Sequence, residues 1–135
     1  DSFENFFIKI PLDMKNGEFI YDYPASQAAL AQVHTGADGK KYADRFELYL
    51  GGMELCNGYH ELTDFKEQAK RFQEDLNLRK QMNKDLPLED LRFLAALEHG
   101  MPECSGVALG FDRLAMLALG KQDIREVILF PGDLA

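Results

Sequence analysis

The stretch Asp44-Arg-Phe-Glu-Leu-Tyr-Leu-Gly-Gly-Met-Glu-Leu-Cys-Asn-Gly-Tyr-His-Glu-Leu-Thr-Asp64 constrains this chain more than any other. Phe46, Leu48 and Leu50 alternate with Glu47 and Tyr49, the period of a half-buried strand. Gly51-Gly52 supplies two residues that accept positive φ, as a tight hairpin turn demands. Folding the chain about that turn sets Leu50 against Met53, Tyr49 against Glu54, Leu48 against Leu55 and Glu47 against Cys56. Glu47, Tyr49, Glu54 and Cys56 then share one face. Glu47 and Glu54 become diagonal neighbours, about 7–8 Å apart at Cα. Two converging carboxylates repel unless a cation lies between them, and Mg²⁺ takes such hard oxygens while keeping bridging phosphates. From the hairpin alone, an ordinary solvated sheet face is the better reading of the two glutamates. Asn57, Tyr59 and Glu61 tip the balance by adding an amide, an aromatic wall and a third carboxylate. Strict alternation puts Asn57 on the face away from Glu54, so a bulge between Cys56 and Gly58 is needed to re-aim it.

At 135 residues the chain is long enough for one domain with a real core. A hydrophobic content of 46% excludes disorder, and the formal net charge of −8 counts against a nucleic-acid surface on this segment. Two cysteines, Cys56 and Cys104, make neither a disulfide framework nor a zinc cluster. They read as buried thiols of a reducing cytoplasm. No window has the pattern of a signal peptide or a membrane span.

The rest of the chain reads as a series of short elements. Asp1 to Ile10 fits a helix or a strand equally well. Phe19 to Tyr23 reads as a strand stopped by Pro24, and Ser26 as the cap of a short alanine-rich helix to about Val33. Thr35 to Lys40 is a loop, with His34 a surface residue beside it. Asp64 with Glu67 starts a helix whose apolar stripe is Phe65, Ala69, Phe72 and Leu76, and whose charges form a solvated face. Asp85-Leu86-Pro87 breaks it and starts another, striped by Leu91, Leu94 and Leu97 and ended by Gly100. Cys104 to Gly110 reads as a small-residue strand. Its glycines point to close approach by a ligand or another backbone. Asp112 and Arg113 fall at the junction with a helix running to Gly120. There a guanidinium suits a phosphate or an adenine face, although a helix cap and a surface charge are the plainer reading. Glu126 to Phe130 reads as a last buried strand.

Gly106-Val-Ala-Leu-Gly-Phe-Asp-Arg113-Leu resembles motif 3 of class II aminoacyl-tRNA synthetases. Met53-Glu-Leu-Cys-Asn-Gly-Tyr-His-Glu-Leu-Thr-Asp64 resembles the amino-acid-binding segment of their lysyl branch. Arg45-Phe-Glu47 and Tyr23-Pro24-Ala-Ser-Gln27 fit the same pattern. Within the branch, the segments at Asn57 and Ser105 are most similar to the synthetase paralogs that lysylate elongation factor P. The resemblance covers about Phe19 to Pro131.

The resemblance implies an α+β fold: an antiparallel sheet of the hairpin, the Phe19 strand and the Cys104 strand, with helices on one face. It also implies the cofactors ATP and Mg²⁺ and the formation of an acyl-adenylate. Glu47 and Glu54 are then expected to hold the metal and ATP. Asn57, Tyr59 and Glu61 are expected to bind a lysine or β-lysine, with Glu61 on its amine. Arg113 is expected at the adenine and γ-phosphate end, with Gly110 leaving room for the nucleotide. Ala108 stands where synthetases usually have glycine, and one methyl on a pocket wall shifts discrimination by about 1–3 kcal/mol.

Motif 1, which builds the homodimer interface, and motif 2, whose arginine grips the α-phosphate, are not in the sequence. Residues 1–135 are therefore expected to be the C-terminal part of a catalytic domain, inactive alone. The implied partners are ATP, a lysine-like amino acid and elongation factor P, with the charge set against tRNA contact by this segment. A lysyl-tRNA synthetase and a non-catalytic binding paralog are the alternatives.

Overall fold

The computed structural model describes residues 16–132. The reading of Asp1 to Ile10 falls outside them. Contacts divide the chain into two compact units. One comprises Asp1–Tyr21, Phe46–Gly58 and Val107–Ala135, the other Asp22–Arg45 and Tyr59–Gly106.

The architecture is α+β, as the sequence implied. Four strands form a sheet in the order β1-β5-β6-β7, where β1 is Gly17–Ile20, β5 Arg45–Leu50, β6 Met53–His60 and β7 Ser105–Leu109. β1 runs antiparallel to β5, with Phe19 opposite Leu48 and Ile20 opposite Glu47. Gly51 and Gly52 both take positive φ, 61° and 75°, so the hairpin turn sits where the two glycines allow it. The Gly110 N–H bonds the Leu55 carbonyl, and the Glu61 N–H bonds the Cys104 carbonyl. Residue numbers rise on one strand as they fall on the other, so β6 and β7 are antiparallel.

Near Gly58 the hairpin is offset by one residue from strict two-residue pairing, but not by a bulge between Cys56 and Gly58. A strict two-residue hairpin sets Asp44 opposite Tyr59 and Phe46 opposite Asn57. The His60 N–H instead bonds the Asp44 carbonyl at 2.8 Å. A Cβ on Gly58 would lie 2.4 Å from the Phe46 ring. Both partners come one residue late, and because Leu55, Gly58 and Glu61 keep one register against Gly110, Val107 and Cys104, the extra residue enters β6 ahead of Leu55, beside the turn. With Gly58 facing Phe46, alternation turns Asn57 to the side of Glu47 and Tyr49.

The second unit is built on a smaller sheet that the sequence reading did not foresee. Its order is β2-β4-β3, with β2 Tyr23–Pro24, β4 Lys41–Ala43 and β3 Val33–Thr35. The expected strand from Phe19 to Tyr23 is broken, because Asp22 takes a positive φ of 57°. The expected helix from Ser26 to Val33 shrinks to a 3₁₀ turn, Ala25–Gln27, without a side-chain cap. So short an alanine run cannot repay helix nucleation. Its backbone is used elsewhere: Ala31 bridges Glu61, and Ala28 and Ala31 are buried.

Helix α1, Phe65–Gln81, begins where expected, with the Asp64 carboxylate accepting from the N–H groups of Lys66 and Glu67. Its polar face is not wholly solvated, since Gln68 is buried. Helix α2, Leu91–His99, starts later than Pro87; Asp90 is its cap, accepting from the Phe93 N–H. Helix α3, Phe111–Leu119, ends at Gly120 in the left-handed region. The last expected strand is not one. Asp123 accepts from the Arg125 N–H and opens a 3₁₀ turn, Ile124–Glu126, and Leu129 and Phe130 beyond it are exposed. Apolar composition recorded a preference for burial there, and no strand follows from that preference. Among the described residues no helix is long and apolar enough to cross a membrane. Both cysteines are free, Cys56 buried and Cys104 half-buried.

Candidate active site

In the hairpin unit, Glu47 is only 7% exposed. Its Oε2 accepts a hydrogen bond from the Tyr49 hydroxyl at 2.8 Å, two residues along the same face of β5. Glu54 follows the turn. Its carbonyl accepts from Arg113 Nη1 at 2.7 Å, and its carboxylate lies 3.8 Å from the same nitrogen. Tyr49, Glu54 and Arg113 line one cavity together with Gly52, Met53 and Met116. Glu47 is not among its lining residues, although it is bonded to Tyr49, which is. Arg113 stands at the strand-to-helix junction. Its stem passes Gly110, where a Cβ would come 3.3 Å from Arg113 Cδ. The room that Gly110 leaves is thus taken by Arg113 itself. Ala108 is exposed on β7.

This donor set suits a hard divalent cation. It offers two carboxylates with an arginine alongside, and Mg²⁺ takes few protein oxygens when waters and phosphates complete its shell. Among the described residues no group of three or more acidic, histidine or cysteine side chains could hold a metal by itself.

In the other unit, Glu61 ends the same run of residues. Its backbone is held on both sides: its N–H bonds the Cys104 carbonyl, and its carbonyl accepts from Gln32 Nε2 at 3.1 Å. Its carboxylate has no hydrogen bond or ion pair among the described residues. The carboxylate lies against Gly106, where a Cβ would come 2.2 Å from Oε1. Tyr59 is fixed by Arg45, whose guanidinium carbon sits 5.7 Å from the Tyr59 ring centre and 4.4 Å from that of Tyr23. Arg45 Nη1 also donates to the Gln27 carbonyl. Asp44 pairs with His34 at 2.6 Å and lies 3.7 Å from His60 Nδ1. The sequence had marked Arg45 and Gln27 only by resemblance, and it gave no signal for Gln32 or Glu103.

The family model described as tRNA synthetases class II (D, K and N) matches residues 7–134. The chain belongs to that family. The match agrees with the α+β architecture and with the two motifs around Glu54 and Arg113. Among individual proteins, the chain is 55% identical over 111 residues to an elongation factor P–(R)-β-lysine ligase of Haemophilus ducreyi, covering 82% of this chain and 33% of that protein. A ligase of the same name from Proteus mirabilis is 52% identical over 120 residues, 89% of this chain and 36% of the relative. The chain thus spans about a third of the length of the curated relatives it matches.

Proposed function

We propose that the protein containing this chain activates a lysine-like amino acid with ATP and transfers it to a lysine side chain of elongation factor P. The observation that carries the reading is the Glu61 carboxylate, held by its backbone and free of any cation among the described residues. A substrate ammonium is the group it can pair with, and a charge-assisted bond of this kind contributes about 1.5–3 kcal/mol. The names of the relatives support elongation factor P as the acceptor and (R)-β-lysine as the amino acid.

The substrate carboxylate attacks the α-phosphorus of ATP, giving an acyl-adenylate and pyrophosphate. The acceptor amine then attacks the acyl carbon, AMP leaves, and the amine loses a proton. Mg²⁺, when bound, neutralises phosphate charge and orients the leaving pyrophosphate. Glu47 and Glu54 are assigned to hold it, and the burial of Glu47 gives a cation reason to stay. Arg113 is assigned to the adenine and γ-phosphate, and Asn57, Tyr59 and Glu61 to the amino acid. Ala108 is assigned to the pocket wall, and Gly110 to the room in which the stem of the nucleotide-binding Arg113 lies. No side chain is required as a general base, because positioning and charge carry the reaction.

The test is pyrophosphate exchange by the full-length protein with β-lysine and with lysine, followed by mass analysis of elongation factor P. Exchange with β-lysine and a mass gain of one acyl residue are expected. Acylation of tRNA in place of the protein would overturn the acceptor, and absence of exchange with either amino acid would overturn the reaction.

A further inference from the structure

Glu61 is held by more than its own strand. The Gln32 N–H bonds the His60 carbonyl at 2.8 Å and the Leu62 N–H bonds the Leu30 carbonyl at 2.8 Å, so residues 30–32 run beside 60–62. Backbone pairing of this kind leaves the Glu61 carbonyl to be satisfied by a side chain, and Gln32 supplies it. Its amide group has two protons. One goes to the Glu61 carbonyl, and the other to Glu103 Oε2 at 2.8 Å. Glu103 Oε2 is also 2.9 Å from His60 Nε2, so one carboxylate oxygen anchors both side chains. Gln32 is therefore fixed at its far end while it grips the Glu61 peptide. With that peptide held, and with Gly106 presenting no Cβ, the Glu61 side chain starts from an ordered backbone and has room for its carboxylate beside Gly106.

We propose that Gln32, braced by Glu103, is a positioning residue for amino-acid specificity, acting through the Glu61 peptide on recognition of the substrate's terminal amine. The proposal rests on the reading of Glu61 given above. Removing the amide leaves the Glu61 carbonyl without its partner and the Glu61–Leu62 peptide tied only through the Leu62 N–H to Leu30, so the peptide can tilt, and an ion pair built on a less ordered backbone is weaker. Contacts to the rest of the substrate and to ATP do not depend on it.

The experiment uses the full-length protein with Gln32→Ala and Gln32→Met. It compares the KM for β-lysine, the Ki of the β-lysine analogue with hydrogen in place of the terminal amine, and the KM for ATP. The expected result is a rise of about tenfold in KM for β-lysine, the size of a weakened charged contact. The Ki of the analogue and the KM for ATP stay within about twofold, so discrimination collapses. If both compounds weaken by the same factor, or if neither changes, the proposal is overturned. Should the Gln32 variants fail to fold, Glu103→Ala at an exposed position reports the same brace, with a loss of discrimination of about threefold expected; unchanged discrimination in it overturns the proposal. A wild-type protein that binds β-lysine and the analogue alike refutes the role of Glu61, which sinks both readings. Discrimination in the wild type that survives in the variants sinks only this one.

Discussion

In the hairpin unit the acidic groups are tied by their oxygens: Glu47 accepts from Tyr49, and Glu54 lies beside Arg113. In the other unit Glu61 is tied by its peptide, and its oxygens are left over. The first arrangement compensates charge inside the protein, and on the proposed reading a cation with its phosphates would take over that role. The second keeps a charge available and pays only in backbone order. The glycines repeat the contrast. At Gly58 the missing Cβ would meet the rings and methyls of Phe46 and Val107, which are packed side chains. At Gly106 it would meet only the free end of the Glu61 side chain. The first glycine protects the fold, and the second protects the aim of one carboxylate.

The contrast is most exposed to failure at the hairpin. Glu47→Gln and Glu54→Gln in the full-length protein are each expected to cut pyrophosphate exchange by about 10²–10³-fold, the scale of losing one preorganised charge contact. The melting temperature should hold within a few degrees, since glutamine still accepts from Tyr49. Normal exchange in either variant would remove the metal assignment.

Glu61→Gln should act on one substrate only. Its KM for β-lysine is expected to rise by about 10–100-fold, with the KM for ATP unchanged. Equal effects on both would erase the distinction between the two units.

The glycines come next. Gly58→Ala is expected to destabilise the protein by about 1–3 kcal/mol, read from denaturant unfolding, because the new methyl has no space beside Phe46. Gly106→Ala should leave stability nearly unchanged, because the carboxylate end can swing away. The KM for β-lysine should nonetheless rise about tenfold. If Gly106→Ala instead unfolds the protein while leaving KM alone, the two glycines are of one kind.

The smallest effect is a titration. Asp123, in the hairpin unit, is tied by its oxygens to Arg125, whose hydrogen bonds hold its carboxyl down from near 3.8 to about 2. A depressed carboxylate contributes above its unfolded value near 3.8 and loses that contribution as pH falls through about 2. A carboxyl NMR titration should show its midpoint well below that of an ordinary aspartate. A midpoint near the ordinary value would mean that the ion pair does not form in solution.

Much of the site could be read because its signals are local. Alternation around Gly51-Gly52 gave the hairpin, and the misplacement of Asn57 under strict alternation called for a shift in pairing, which comes beside the turn and not between Cys56 and Gly58. Asp64 and Gly120 ended their helices where short-range chemistry said they should. The alanine-rich segment went the other way, because even alanine's helix propensity, over so short a run, yields to pairing with distant residues such as Glu61. The Glu126 to Phe130 run failed for a related reason: hydrophobicity states a demand for cover, and the chain met it with a turn and exposed side chains.

What the sequence determined by itself is the set of groups and their order along the chain: Glu47, Glu54, Asn57, Tyr59 and Glu61 on one hairpin and its continuation, and Arg113 after a glycine-lined strand. Periodicity, turn chemistry and motif spacing are properties of neighbours, so they survive without a fold. Tertiary structure alone decided which oxygens are tied and which are left over. Gln32 lies 29 residues from Glu61 in sequence and Glu103 lies 71 from Gln32. A hydrogen bond between such positions exists only after the chain has closed the loops between them.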